Sequence, residues 1–257
     1  MCTLILGLGI LGPGSLLLGA NRDESPKRPS SDPGVLVGFP RVVGGRDLVS
    51  GGTWLAVRDA RFVTALMNRR PVPGDARDPG AFRSRGLLCL DAAVEGGGRG
   101  ESHLDAALRL VNRDAYGPCT LIGVGLDGEA WALKAVMGEP EIQPISRGWH
   151  VITHQSLDDS GEPRTRWIYD DLRQKRPLTV KEALELMAGY LRSHGEGGLR
   201  GEGGAPPVCL HRDVFPTVSS SLIALGESGG PRYLHASGPP CTTEYRDYTP
   251  LLQNEGG

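Results

Sequence analysis

Cys2 stands directly behind Met1, and Asn21-Arg22-Asp23-Glu24 closes the apolar stretch that begins at Thr3. Removal of an initiator methionine ahead of a small residue would leave Cys2 with a thiol and a free α-amine on one frame. With ordinary values of about 8.5 for the thiol and about 7.7–8.0 for the amine, the amine can take the thiol's proton near neutral pH. That pairing is the N-terminal-amine form of an activated nucleophile, and it is expected to raise the thiolate fraction of Cys2. A buried structural thiol is the commoner fate of a cysteine. On Cys2 alone the structural reading prevails.

The polar quartet has two readings as well. Such side chains are costly to bury and ordinary when exposed, so one reading is a solvated loop in which Asn21 or Asp23 caps a turn. The other is a site at the end of a buried strand, with Arg22 pairing Asp23 or a substrate carboxylate and Glu24 left to solvent. Asn68, at the end of "RFVTALM", is either a turn residue or an oxyanion donor on a fixed scaffold. Arg69 and Arg85 suit an anionic group or the surface. Trp54 in "GGTWL" suits the core or a pocket wall, and Gly51-Gly52 suits close backbone approach. Ser219 or Ser221 in "VSSSL" could line a pocket. Asn21, Trp54, Arg69, Arg85 and Ser219 are therefore the candidates for the substrate side of a site.

Several function classes are excluded by what is missing. The histidines show no metal-ligand spacing, and the odd set Cys2, Cys89, Cys119, Cys209 and Cys241 contains no C-x-x-C. Neither a disulfide framework nor a metal site is expected, and a reducing, cytoplasmic setting follows. A net charge of −2 without blocks of like charge argues against nucleic acid as a partner. "GLGILGPG" is no nucleotide fingerprint, and "VSSSL" lacks the nucleophile-elbow pattern. Residues 4–20 read as two strands joined at Gly12-Pro13-Gly14. The competing reading, a signal-peptide core, has no preceding Lys or Arg and is broken mid-run. The run is also too short and glycine-rich to span a membrane.

These candidates must be held by strands. Strand-like runs occur at 3–10, 15–20, 35–37, 53–57, 61–67, 120–125, 130–134, 150–153, 218–225 and 232–236. Turn chemistry such as Asp127-Gly128 suggests antiparallel hairpins. Helical periodicity covers "AFRSRGLLCLDAAVE", "HLDAALRLVNRD" and "TVKEALELMAGYLRSH", the last with Thr179 and Glu182 at capping-box spacing; "EPRTRWIYDDLRQ" is a further candidate. The loop-like stretches 68–80 and 195–207 do not divide the chain, so one α+β domain over 1–257 is expected.

Met1-Cys2, "LLLGANRDESPKRP", "GGTWLAV", "ALMNRRP" and "SRG", in this order, resemble the NRDE family, which includes the transport-and-Golgi-organisation proteins of eukaryotes. The frame "MC…GANRD…ALMN" is more distantly similar to the N-terminal-nucleophile cysteine hydrolases that cleave penicillin V and bile-salt amides. Residues 217–241 resemble the end of acyltransferases acting on penicillin precursors. The resemblance implies a four-layer αββα sandwich, two antiparallel sheets between helices. It implies Cys2 as nucleophile, Asp23 as the partner of its amine, and Asn68 as an oxyanion donor, with the quartet following the second strand and facing Cys2. Two departures bear on this. Those hydrolases carry Arg-Asn-x-Asp where this chain has Ala20-Asn21-Arg22-Asp23, so Arg22 would serve from a different register or not at all. They also carry an Asn at a "TN" strand end where this chain has Thr153-His154, and His154 can both donate a hydrogen bond and titrate.

The leading expectation is a cytoplasmic amidase or acyltransferase that attacks a non-peptide C–N bond through an acyl-thioester, with Arg22 and His154 beside Cys2 and no cofactor. Its partner would be a small-molecule amide or acyl compound. The rival is a non-enzymatic carrier of lipid or haem, in which Cys2 ligates haem iron or lines the cavity.

Overall fold

The first strand, β1 (Thr3–Leu8), is buried along its whole length, as an apolar run covered on both faces must be. The Gly12-Pro13-Gly14 turn returns the chain as β2 (Leu16–Asp23), paired antiparallel with Thr3 opposite Asn21 and Leu8 opposite Leu16. A computed structural model describes residues 2–69, 82–97, 101–136, 139–195, 205–226 and 230–253. Met1 and most of the two loop-like stretches at 68–80 and 195–207 lie outside the described residues.

The remaining strands are β3 (Ser30–Val37), β4 (Val42–Asp47), β5 (Leu55–Arg58), β6 (Phe62–Asn68), β7 (Cys119–Gly125), β8 (Ala130–Ala135), β9 (Glu141–Pro144), β10 (Gly148–Ile152), β11 (Thr217–Leu225), β12 (Arg232–Ala236) and β13 (Arg246–Asp247). The helices are α1 (Arg85–Glu95), α2 (His103–Arg113), α3 (Pro163–Leu172) and α4 (Val180–Arg192). Strands form one sheet in the order β10-β1-β2-β11-β12-β13 and another in the order β3-β4-β5-β6-β7-β8-β9. Every pairing within both sheets is antiparallel, and the α+β class expected from the sequence holds.

The chain divides into two compact units, residues 1–27 with 147–249, and residues 28–146 with 250–257. In the first, Ile5, Leu17, Trp149 and Val151 on one sheet face pack with Ile168 and Leu172 of α3 and Met187 and Leu191 of α4. Thr179 caps α4 by accepting from the Glu182 N–H at 3.2 Å, while Glu182 reaches back to the Leu178 N–H rather than to that of Thr179. The capping box is thus displaced by one residue. In the second unit, Phe62, Leu66, Leu121 and Leu133 of the sheet pack with Leu88 and Ala92 of α1 and Leu110 of α2.

β4, β9 and β13 have no counterpart among the expected strands. Gly44 and Gly45 dilute the strand signal of β4, β9 is an exposed edge strand without alternation, and β13 has only two residues.

"GGTWL" and "SRG" meet in the second unit. The Thr53 N–H donates to the Gly86 carbonyl at 2.9 Å, and a Cβ on Gly52 would lie 2.2 Å from the Gly86 carbonyl carbon. Gly51 needs its freedom for another reason, a left-handed φ of 74°. Gly52→Ala must push two backbones apart, an overpacking cost of about 1–3 kcal/mol. A thermal melt should show a fall of roughly 2–10 °C for a chain of this size; an unchanged melt would mean the contact yields freely.

Candidate functional site

Asn21, Arg22 and Asp23 belong to β2 itself and do not follow it, and they are only 1 %, 6 % and 3 % exposed. The expectation that the quartet follows the second strand is corrected in this respect. Buried polar groups in a strand need partners, and these come from distant parts of the chain. Asn21 Nδ2 donates to the Leu191 carbonyl at 2.9 Å and to the Val208 carbonyl at 3.3 Å. Asp23 Oδ1 accepts from Thr217 Oγ1 at 2.7 Å, and Arg164 of α3 places Nη1 4.0 Å from Asp23 Oδ2. The same Nη1 donates to Thr3 Oγ1 at 2.8 Å. Arg164, 6 % exposed, is the cation that holds the Thr3 and Asp23 ends of β1 and β2 together.

Cys2 lies one residue before the first paired residue of β1, between the ends of β2 and β10. Continuing the β1–β2 register by one step sets it opposite Arg22, which in turn pairs with Ser219 of β11. Paired residues share a sheet face, so Cys2, Arg22 and Ser219 occupy one face. Asn21 and Asp23 lie on the other, with the helices. A register shift between Thr217 and Ser219 lets β11 serve both faces, with Thr217 on Asp23 and Ser219 opposite Arg22. Ser219 Oγ is buried without a hydrogen-bond partner among the described residues. His154, half-buried, follows the end of β10. The Cys2 end of β1 therefore collects Arg22, Asp23, His154 and Ser219 within one unit.

Electrostatics at this end oppose one another. Burial and then the Asp23 charge push the Cys2 thiol above its ordinary value, while a hydrogen bond from the Asp23 backbone N–H and the Arg22 charge pull it down. The net shift is upward with Met1 in place; the thiolate expected from the sequence belongs to a chain whose Cys2 amine is free. Burial likewise raises Asp23 to about 6, against the Thr217 hydrogen bond and the Arg164 and Arg212 charges. The Arg22 charge thus acts on the thiol, and the charges of Arg164 and Arg212 act on Asp23.

The second unit gathers other candidates. Asn68 ends β6 opposite Cys119. The Arg69 N–H and Arg85 Nη1 both donate to the Pro118 carbonyl, at 3.1 and 3.3 Å, and Arg69 Nη1 reaches Thr120 Oγ1 at 3.3 Å. Asn68, Arg69 and Arg85 therefore share one corner, at the start of β7. Trp54 is half-buried, its ring lying where a Cβ on Gly45 would meet it at 2.5 Å.

A model of the Transport and Golgi organisation 2 family matches residues 1–184. The chain belongs to that family. No curated protein matches it. Among solved structures, this family member is similar to a Caenorhabditis elegans ortholog of N-acylethanolamine-hydrolyzing acid amidase, at 14 % identity and a TM-score of 0.55 over 86 % of this chain and 92 % of that one. It is similar to penicillin V acylase from Agrobacterium tumefaciens, at 12 % identity and a TM-score of 0.55 over 100 % and 89 %. A variant of conjugated bile acid hydrolase from Clostridium perfringens follows at 11 % identity and 0.58 over 99 % and 95 %. At these identities the likeness is one of fold, that of the N-terminal-nucleophile hydrolases. Among the described residues no helix is long and apolar enough to cross a membrane.

Arg164 and Thr217 escaped sequence reasoning. "EPRTRWIYDDLRQ" reads only as a further candidate helix, and Thr217 stands just ahead of the strand-like run 218–225. Neither pattern carries a signal that its polar atom is aimed at Asp23.

Proposed function

We propose that this chain is an N-terminal-cysteine hydrolase or acyltransferase that cleaves a non-peptide amide bond in a small molecule. The observation that carries the reading is the buried Asp23 carboxylate at the end of β2, beside Cys2 and held by Thr217 and Arg164. A buried carboxylate of this kind is costly unless it faces positive charge. The α-amine of Cys2, once freed, supplies such a charge whenever it is protonated. The fold of the amide-cleaving enzymes named above supports the same reading.

The amine takes the thiol proton, and the thiolate attacks the substrate carbonyl carbon to form a C–S bond. The ammonium so formed, stabilised by Asp23, returns the proton to the leaving nitrogen as the C–N bond breaks. An acyl-thioester on Cys2 remains. Water, deprotonated by the same amine, releases a carboxylic acid and the free thiol; an acceptor amine would instead take the acyl group.

Protein lacking the residue ahead of Cys2 is mixed with an N-acylethanolamine, penicillin V and a conjugated bile acid, quenched in acid and weighed intact. The expected result is an added acyl mass that peptide mapping places on Cys2, together with released amine. Turnover with the acyl group on another residue, or no adduct and no amine from any of the three, counts against the proposal.

A further inference from the structure

We propose that His194, Cys209, His211 and Cys241 form a structural zinc site. Their four ligand atoms all lie within 4.8 Å of one another. The two sulfurs are 3.5 Å apart, and His211 Nε2 is 3.2 Å from the Cys241 sulfur and 3.9 Å from that of Cys209. A tetrahedral zinc ion bonded at about 2.3 Å to sulfur and about 2.0–2.1 Å to nitrogen sets its ligand atoms about 3.3–3.8 Å apart. The observed separations already approach that figure. His194, exposed and edge-on to the His211 ring with centroids 5.0 Å apart, completes the set within the same 4.8 Å.

The backbone brings the ligands together at the end of α4. Ser193, which ends that helix, accepts from the N–H groups of Val208 and Cys209, both at 2.9 Å, so His194 and Cys209 are fixed side by side. Arg192 Nε donates to the Pro240 carbonyl at 3.0 Å and ties the turn that carries Cys241 to the same helix end. The free carbonyls of a helix C-terminus favour a cation there. Two thiolates neutralise a divalent ion, and two imidazoles complete a closed Cys2His2 set with no open position, the pattern of a structural rather than a catalytic zinc.

A bound ion would brace the Asp23 network. The Leu210 N–H, between the two ligands Cys209 and His211, donates to Thr217 Oγ1 at 2.9 Å, and that hydroxyl donates to Asp23. Asn21 holds the Val208 carbonyl next to Cys209. The inference itself does not depend on the proposed activity.

Chelator-treated, reduced protein is titrated with cobalt(II) and then zinc(II). The expected result is one cobalt per chain with tetrahedral d–d bands and a thiolate-to-cobalt charge-transfer band, both lost on adding zinc, and a higher melting temperature with zinc bound. Cys241→Ser and the exposed-side variant His211→Ala should each weaken binding roughly 100-fold or more, at least as much as loss of an outer-shell partner. Cys2→Ala should retain the full signal. Absence of cobalt binding, a spectrum without the thiolate band, or affinity unaffected by both ligand variants would overturn the site. So would an intact mass showing that Cys209 and Cys241 close into a disulfide in preference to binding zinc.

Discussion

Keeping a residue ahead of Cys2 should abolish acyl transfer. Burial and the Asp23 charge hold the thiol above its ordinary value, so Cys2 has little thiolate of its own near neutral pH. It depends on a base within reach, and an amide nitrogen in a Met1–Cys2 peptide bond cannot take a proton. Freeing the α-amine supplies the base on the same residue. The loss expected from removing it is roughly 10²–10⁴-fold in rate, the usual contribution of a positioned general base. The chain is compared with and without an N-terminal extension whose removal leaves Cys2 first, following amide turnover and the rate of iodoacetamide labelling. Labelling is mapped by peptide, because burial pushes the thiols of Cys89, Cys119 and Cys209 up to about 12 and leaves them poor competitors. Freed Cys2 should label first. Equal turnover in the extended chain would exclude the amine as the base.

Asp23→Asn should separate catalysis from stability. Asp23 lies inside a strand, so a turn-capping role no longer competes with its charge as the explanation of its position. In the folded chain burial raises its carboxyl to about 6, above the value of about 3.9 for an unfolded chain. The folded state therefore binds this proton more tightly. Its stabilising contribution is full below the unfolded value and is lost as pH rises through about 6. At neutral pH the ionised, buried carboxylate costs stability, and Asn removes that cost while keeping the shape.

The melting temperature of the variant at neutral pH should therefore change little or rise, with the loss of the 4.0 Å contact to Arg164 opposing the gain. Cys2 reactivity should fall by roughly two orders of magnitude, because loss of the charge that stabilises the ammonium outweighs the easier ionisation of a thiol no longer facing it. In the native protein the labelling rate should also climb through pH values near 6, and that limb should vanish in Asp23→Asn. An unchanged labelling rate and an unchanged pH profile in a well-folded variant would reduce Asp23 to a structural partner of Thr217.

Local pattern sufficed for much of this protein. The apolar runs at 3–10 and 15–20 around Gly-Pro-Gly, the Asp127-Gly128 hairpin and the capped helix after Thr179 all rest on interactions within a few residues, which periodicity and turn chemistry read directly. The order of the motifs from Met1-Cys2 to "SRG" was enough to reach the family and its α+β fold. The same motifs pointed to Cys2 and Asp23 as candidates for one site.

What tertiary structure alone decided is where the buried charge goes. A hydropathy pattern stops the strand at Ala20 and leaves Asn21-Arg22-Asp23 beyond it, because it weighs polar side chains without their partners, whereas β2 runs on to Asp23. Those partners, Leu191, Val208, Thr217 and Arg164, are all more than a hundred residues away along the chain. Their convergence is what permits burial of Asn21 and Asp23, and burial is the first cause that raises both Asp23 and Cys2. The His–Cys cluster at the end of α4 escaped for the same reason. Its ligands sit after a helix, on a short returning segment and in a turn beyond β12, and no spacing rule joins three segments that packing alone brings within 4.8 Å.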